Sequence, residues 1–104
     1  MKVSGVVINV DGSTRTVVFD EWSTHRNGIA GEILNAHGVF VGACEERGLV
    51  ALAGENATEP NPYTFPACFS KDDEIFGPVL VVKQSFENET HQFVDFTCEE
   101  FAVL

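Results

Sequence analysis

The run Ile75-Phe76-Gly77-Pro78-Val79-Leu80-Val81-Val82-Lys83 is the most apolar stretch of the chain, and it restricts what the rest can become. It reads as a central strand beginning at Pro78. Pro78 fits the first residue of such a strand, because proline cannot donate to a ladder from the interior. A strand of this kind sits at the centre of a sheet, so the remaining segments must supply its neighbours and its cover.

The neighbours are readable. Val3 to Val10 and Thr14 to Phe19 are rich in β-branched residues and are separated by Asp11-Gly12, a dipeptide that tolerates the positive φ of a two-residue hairpin turn. Gly5 marks a bulge or a close contact within the first strand. A second hairpin is expected from Val39-Phe40-Val41-Gly42-Ala43-Cys44 and Leu49-Val50-Ala51-Leu52-Ala53, joined by Glu45-Glu46-Arg47-Gly48, with both strands buried on most of their surface rather than cleanly alternating. His91-Gln92-Phe93-Val94-Asp95-Phe96 is a further strand, followed by Thr97-Cys98-Glu99-Glu100, which fits a capping box opening a short helix from Cys98 to about Val103.

The cover is expected from a helix between the hairpins. Trp22, Ile29 and Ile33, with Ala30 and Leu34 beside them, form an apolar stripe at helical spacing, with Asp20 or Ser23 as the cap. The reading places a helix over Trp22 to His37, firmest from Asn27 to Ala36 and stopped at Gly38. Gly54 to Ser70 has three prolines and no period, so it reads as a long loop that Tyr63, Phe65 and Phe69 pack onto the body. The fold expected is α+β, with five or six strands in a mixed or antiparallel sheet, one main helix on a face and a short C-terminal helix. The whole of residues 1–104 forms one domain. With 44% hydrophobic residues in 104, such a chain buries roughly two-thirds of its unfolded surface and needs no staples.

Charge restricts the partners. Lys and Arg number 6 and Asp and Glu 16, a formal charge of −10. Residues 1–54 carry −2 of this and residues 55–104 carry −8. Such a field repels nucleic-acid phosphates and anionic lipid and steers in basic surfaces. Direct nucleic-acid binding and membrane association are therefore not expected. The N-terminus Met1-Lys2-Val3-Ser4-Gly5 lacks the apolar region of a secretion signal, and no run of about 18 apolar residues is present, which fits a cytosolic protein. Cys44, Cys68 and Cys98 are odd in number, without a C-x-x-C pair, as expected of reduced, packed thiols.

Chemistry-bearing motifs are sparse. Neither G-x-G-x-x-G nor G-x-x-x-x-G-K-[ST] occurs, which removes the common phosphate-cradling enzymes. Cys44 with His25 or His37 and Glu32 is a conceivable nucleophile arrangement, but any chain with three cysteines and three histidines offers such combinations, so the histidines read as surface or packing residues. Contiguous Asp72, Asp73 and Glu74 point in different directions from an extended segment and read as a solvated turn, so no metal or cofactor is expected.

The segments Gly48-Leu49-Val50-Ala51-Leu52, Ile75-Phe76-Gly77-Pro78-Val79-Leu80-Val81-Val82 and Phe93-Val94-Asp95-Phe96-Thr97-Cys98-Glu99-Glu100-Phe101 resemble a family of uncharacterised small proteins carried by bacteriophages and mobile elements. These motifs are structural, cover about half of the chain and lie in its C-terminal part. The resemblance implies an accessory protein acting in a host cytosol, where such proteins often block host defences. It assigns no catalytic residue.

Together these readings lead to a non-enzymatic protein that acts by binding. Glu55, Glu59, Asp72, Asp73, Glu74, Glu87 and Glu89 would present negative charge to a host protein with a basic surface, as a DNA-mimicking inhibitor does. The alternative is a small nucleotide ligand, sequestered in a pocket made by the 54–70 loop at a homo-oligomer interface, with Trp22, Tyr63 or Phe65 as stacking surfaces and Arg15, Arg26, Arg47, Lys71 or Lys83 as phosphate partners. An enzyme with an unrecognised thiol or carboxylate site ranks third.

Overall fold

A computed structural model of the chain describes residues 2–71, 74–85 and 92–104. The elements run β1 (Lys2–Ile8), β2 (Thr14–Asp20), α1 (Gly28–Leu34), β3 (Gly38–Cys44), β4 (Leu49–Gly54), β5 (Ser70–Lys71), β6 (Val79–Ser85), β7 (Gln92–Val94) and α2 (Cys98–Ala102). The architecture is the expected α+β one. The strands form one sheet in the order β2-β1-β6-β4-β3-β5, with β7 paired to β6, and each pairing is antiparallel. Five strands are long; β5 and β7, of two and three residues, bring the total to seven.

The apolar run is central, as its composition requires. Along β6, Val79 and Val81 enter one cluster with Val6, Ile8, Leu49, Ala51, Ala53, Phe65, Phe96 and Phe101, and Leu80 and Val82 enter another with Val3, Val7, Val17 and Phe19. The alternation follows from the period of two, so β6 is covered on both sides. Ile29, Ile33 and Leu34 of α1 cover the second cluster, while Tyr63, Phe69 and the last residues of the chain cover the first. Cys44 falls into the first cluster after a register shift between Phe40 and Gly42.

Local corrections have local causes. The first hairpin closes with a three-residue loop: Asn9 and Ser13 pair, the Gly12 amide donates to the Asn9 carbonyl at 2.9 Å, and of the expected pair only Gly12 takes positive φ, at 88°. This is the type I turn followed by a left-handed glycine. Asp11 stays helpful as a side chain, since its carboxylate accepts from the Ser13 hydroxyl and amide, which hold its pKa below the ordinary value. Gly5 is the close contact anticipated: a Cβ there would lie 3.0 Å from the Val81 carbonyl oxygen and 3.2 Å from the Phe19 ring.

The helix is shorter than its stripe. Asp20 accepts from the Trp22 amide, Ser23 from the His25 amide and His25 Nδ1 from the Asn27 amide, so residues 20–27 form successive local turns. These side-chain bonds compete with the helical ladder. Asp20 and Ser23 therefore do not cap α1; Asn27 occupies that position, without a side-chain cap bond. Trp22 stands outside the helix and is 71% exposed. At the other end Asn35, at φ 56°, turns the chain before Gly38 can. The second hairpin pairs as expected, but its strands are not buried on most of their surface: β4 alternates between buried and half-buried residues, and Val39 and Phe40 of β3 are exposed because that part of the strand has no cover. α2 matches the expectation, with Thr97 Oγ1 accepting from the Glu100 amide at 3.3 Å.

Candidate functional site

The long loop is built around one polar side chain. Asn61 lies between two prolines that deny their own amides to any ladder, and only 8% of it is exposed. Its Nδ2 donates to the Ile8 carbonyl at 3.3 Å and the Gly77 carbonyl at 3.0 Å, and its Oδ1 accepts from the Tyr63 amide at 3.1 Å. Backbone bonds complete the join: Asn61 donates to Ile75 at 2.8 Å and Gly77 to Glu59 at 2.6 Å, around a bridge between Pro60 and Phe76. Burial of this amide without partners would be costly, so the pairing fixes both segments.

The aromatic residues follow. The Tyr63 ring stacks on Phe101 at 5.9 Å and meets Phe65 edge-on at 5.4 Å. Phe65 in turn packs against Phe69, and Phe101 against Phe96. Burial raises the Tyr63 phenol above its ordinary pKa, so it stays protonated at neutral pH.

Along the two joined segments lies a cleft of about 410 Å³, lined by Pro60, Asn61, Pro62, Tyr63 and Thr64 of the loop and by Glu74, Ile75 and Phe76. That volume is at the small end for ligand sites, which run about 300–1,000 Å³. Among the described residues of this lining Glu74 is the carboxylate and none is a cation. Glu59 is exposed immediately before Pro60, and Glu55 is exposed at the end of β4. Among the described residues no cation approaches these three acids; Lys2 and Lys83 lie instead 4.0 Å from Glu32 and 3.9 Å from Glu100.

Asp72, Asp73, Glu87 and Glu89 lie outside the described residues, as does the Lys71 side chain. Of the nucleotide set, Tyr63 lines the cleft, but Phe65 is 8% exposed and offers no face to a base. Trp22 and Arg26 lie in the connection into α1, which covers the opposite side of the sheet. Arg47 lies in the β3–β4 turn and lines a separate cavity with Lys83. The cleft thus brings Glu74 and Tyr63 together, Glu59 adjoins it in sequence at Pro60, and Trp22, Arg26 and Arg47 lie elsewhere on the fold. Asn61 and Phe76 belong to this site and escaped the sequence reading; Pro-Asn-Pro was the one local signal available.

Among the described residues no group of three or more His, Cys, Asp or Glu side chains is placed to hold a metal ion. Cys44 is buried beside Cys68, and burial followed by that thiol raises its pKa. No helix among the described residues is long and apolar enough to cross a membrane. Neither the curated proteins nor the solved structures contain a match to the chain. A family model does match, over residues 6–104, and it takes in the N-terminal hairpin that the motif resemblance left aside. The chain therefore belongs to a family of unknown function, DUF5880.

Proposed function

We propose that the chain is a non-enzymatic binding protein whose exposed carboxylates receive a basic surface of another protein, with the cleft between residues 60–64 and 74–76 at the contact. The observation that carries this reading is that Glu74 lines a preformed cleft whose wall residue Pro60 directly follows the exposed Glu59, and that among the described residues neither carboxylate has an ion-pair partner. Unpaired carboxylates on an anionic molecule raise the association rate of a cationic partner and keep like-charged ones away. In the setting that the phage and mobile-element resemblance implies, the partner is a basic defence or nucleic-acid-binding protein of the host, and occupation of its basic surface is inhibitory. The nucleotide reading has less support, because among its described residues Tyr63 lines the cleft while Trp22, Arg26, Arg47 and Lys83 lie on other parts of the fold.

The test is capture from a lysate of the host cell at two salt concentrations, with the wild-type chain and with the Glu59→Gln, Glu74→Gln double variant. The proposal expects a basic protein to be retained at low salt, released at high salt and lost with the double variant. Retention that ignores both salt and the two substitutions contradicts it.

A further inference from the structure

Resting on that reading of the cleft, we infer that it selects an arginine side chain over a lysine side chain. Charge alone does not distinguish the two. The lining does, because the carboxylate is accompanied by aromatic residues and a rigid apolar wall.

Glu74 supplies two acceptor oxygens at the surface, a geometry that a guanidinium can meet with two parallel N–H donors and an ammonium cannot. Phe76, 36% exposed, and half-buried Tyr63 line the same cleft. A planar, weakly hydrated guanidinium lies flat on an exposed ring such as that of Phe76, whereas an ammonium must give up a tightly held water shell to approach it. Pro60 and Pro62 add walls with few rotatable bonds, suited to the aliphatic stem of a long side chain.

The lining is also held in place before any ligand arrives. Tyr63 is fixed through its amide by Asn61 and through its ring by Phe101 and Phe65. The bridge between Pro60 and Phe76 sets the spacing of the two walls. A flat cation therefore meets rings that do not need to be ordered on binding, which favours affinity at little entropic cost.

Two otherwise identical Gly/Ser dodecapeptides, one with a single central arginine and one with a single central lysine, test this. Each is titrated into the isotopically labelled full-length chain, and amide shifts of Asn61, Tyr63, Glu74, Ile75 and Phe76 are followed by NMR. The arginine peptide is expected to bind about fivefold more tightly or better, with shifts centred on these residues. Glu74→Gln should weaken both peptides, whereas Phe76→Leu, which keeps an apolar side chain but removes the ring, should reduce the preference toward unity. Thermal melts of each variant show that it is folded. Equal affinity of the two peptides for the wild-type chain overturns the inference and leaves the acidic-contact reading in place. Failure of both peptides to shift the cleft residues overturns the two together.

Discussion

The side-chain amide of Asn61 donates to the carbonyl of Gly77 at 3.0 Å, joining the proline-rich loop to the residue that leads into the central strand. The same amide group reaches Ile8 and Tyr63, so one residue ties β1, the loop and the approach to β6. Its removal is expected to be felt in both stability and cleft geometry. Asn61→Ala leaves two carbonyls and one amide without their partner, at a cost of about 1–3 kcal/mol. Thermal unfolding should show a fall in Tm of roughly 5–15 °C. Hydrogen exchange at the Tyr63 amide should accelerate more than exchange in β6; an unchanged Tm with slow exchange at Tyr63 would contradict this role.

Gly5 and Val81 give a second test. The strands approach so closely that a methyl group on residue 5 must displace either the Val81 backbone or the Phe19 ring. Gly5→Ala is therefore expected to destabilise by about 1–3 kcal/mol, as overpacked cores do, although alanine is the better strand residue in conformational entropy. Denaturant unfolding measures it. A neutral or stabilising effect would mean that β1 and β6 have room to separate.

Alkaline pH should weaken the fold in a specific way. Burial raises the Tyr63 phenol above its ordinary value of 10.0 and the Cys44 thiol above 9.0. The folded state then holds these protons more tightly than the unfolded state does. Their contribution is full below the unfolded values and is lost as pH rises through the shifted ones. A melt series between about pH 8 and about pH 11 should show Tm falling, with a shallower slope in Tyr63→Phe and in Cys44→Ala. Identical slopes in all three chains would contradict the assignment.

The fold was legible where local chemistry and tertiary structure agree. Val79 to Val82 behave as a two-sided strand because nothing in their immediate sequence offers another structure, and Asp11-Gly12 turns because Gly12 accepts positive φ. Residues 20–27 show the converse. Trp22 continues the helical stripe in sequence, but Asp20, Ser23 and His25 bond to nearby amides and hold the chain in turns. The candidate site was only half legible. Glu74 and Tyr63 were readable as members of an acidic and an aromatic group, yet their meeting in one cleft depends on the bridge between Pro60 and Phe76 and on Asn61 reaching Ile8, 53 positions away. No periodicity carries a contact of that range.

The most direct measurement of the central claim is the affinity of the arginine peptide for the wild-type chain at about 50 mM and about 300 mM salt, beside the Glu59→Gln, Glu74→Gln variant. The account expects binding to weaken severalfold across that range in the wild-type chain, and the variant to bind poorly at both concentrations. Binding of equal strength at the two salt levels, or a variant that binds as the wild type does, would contradict it.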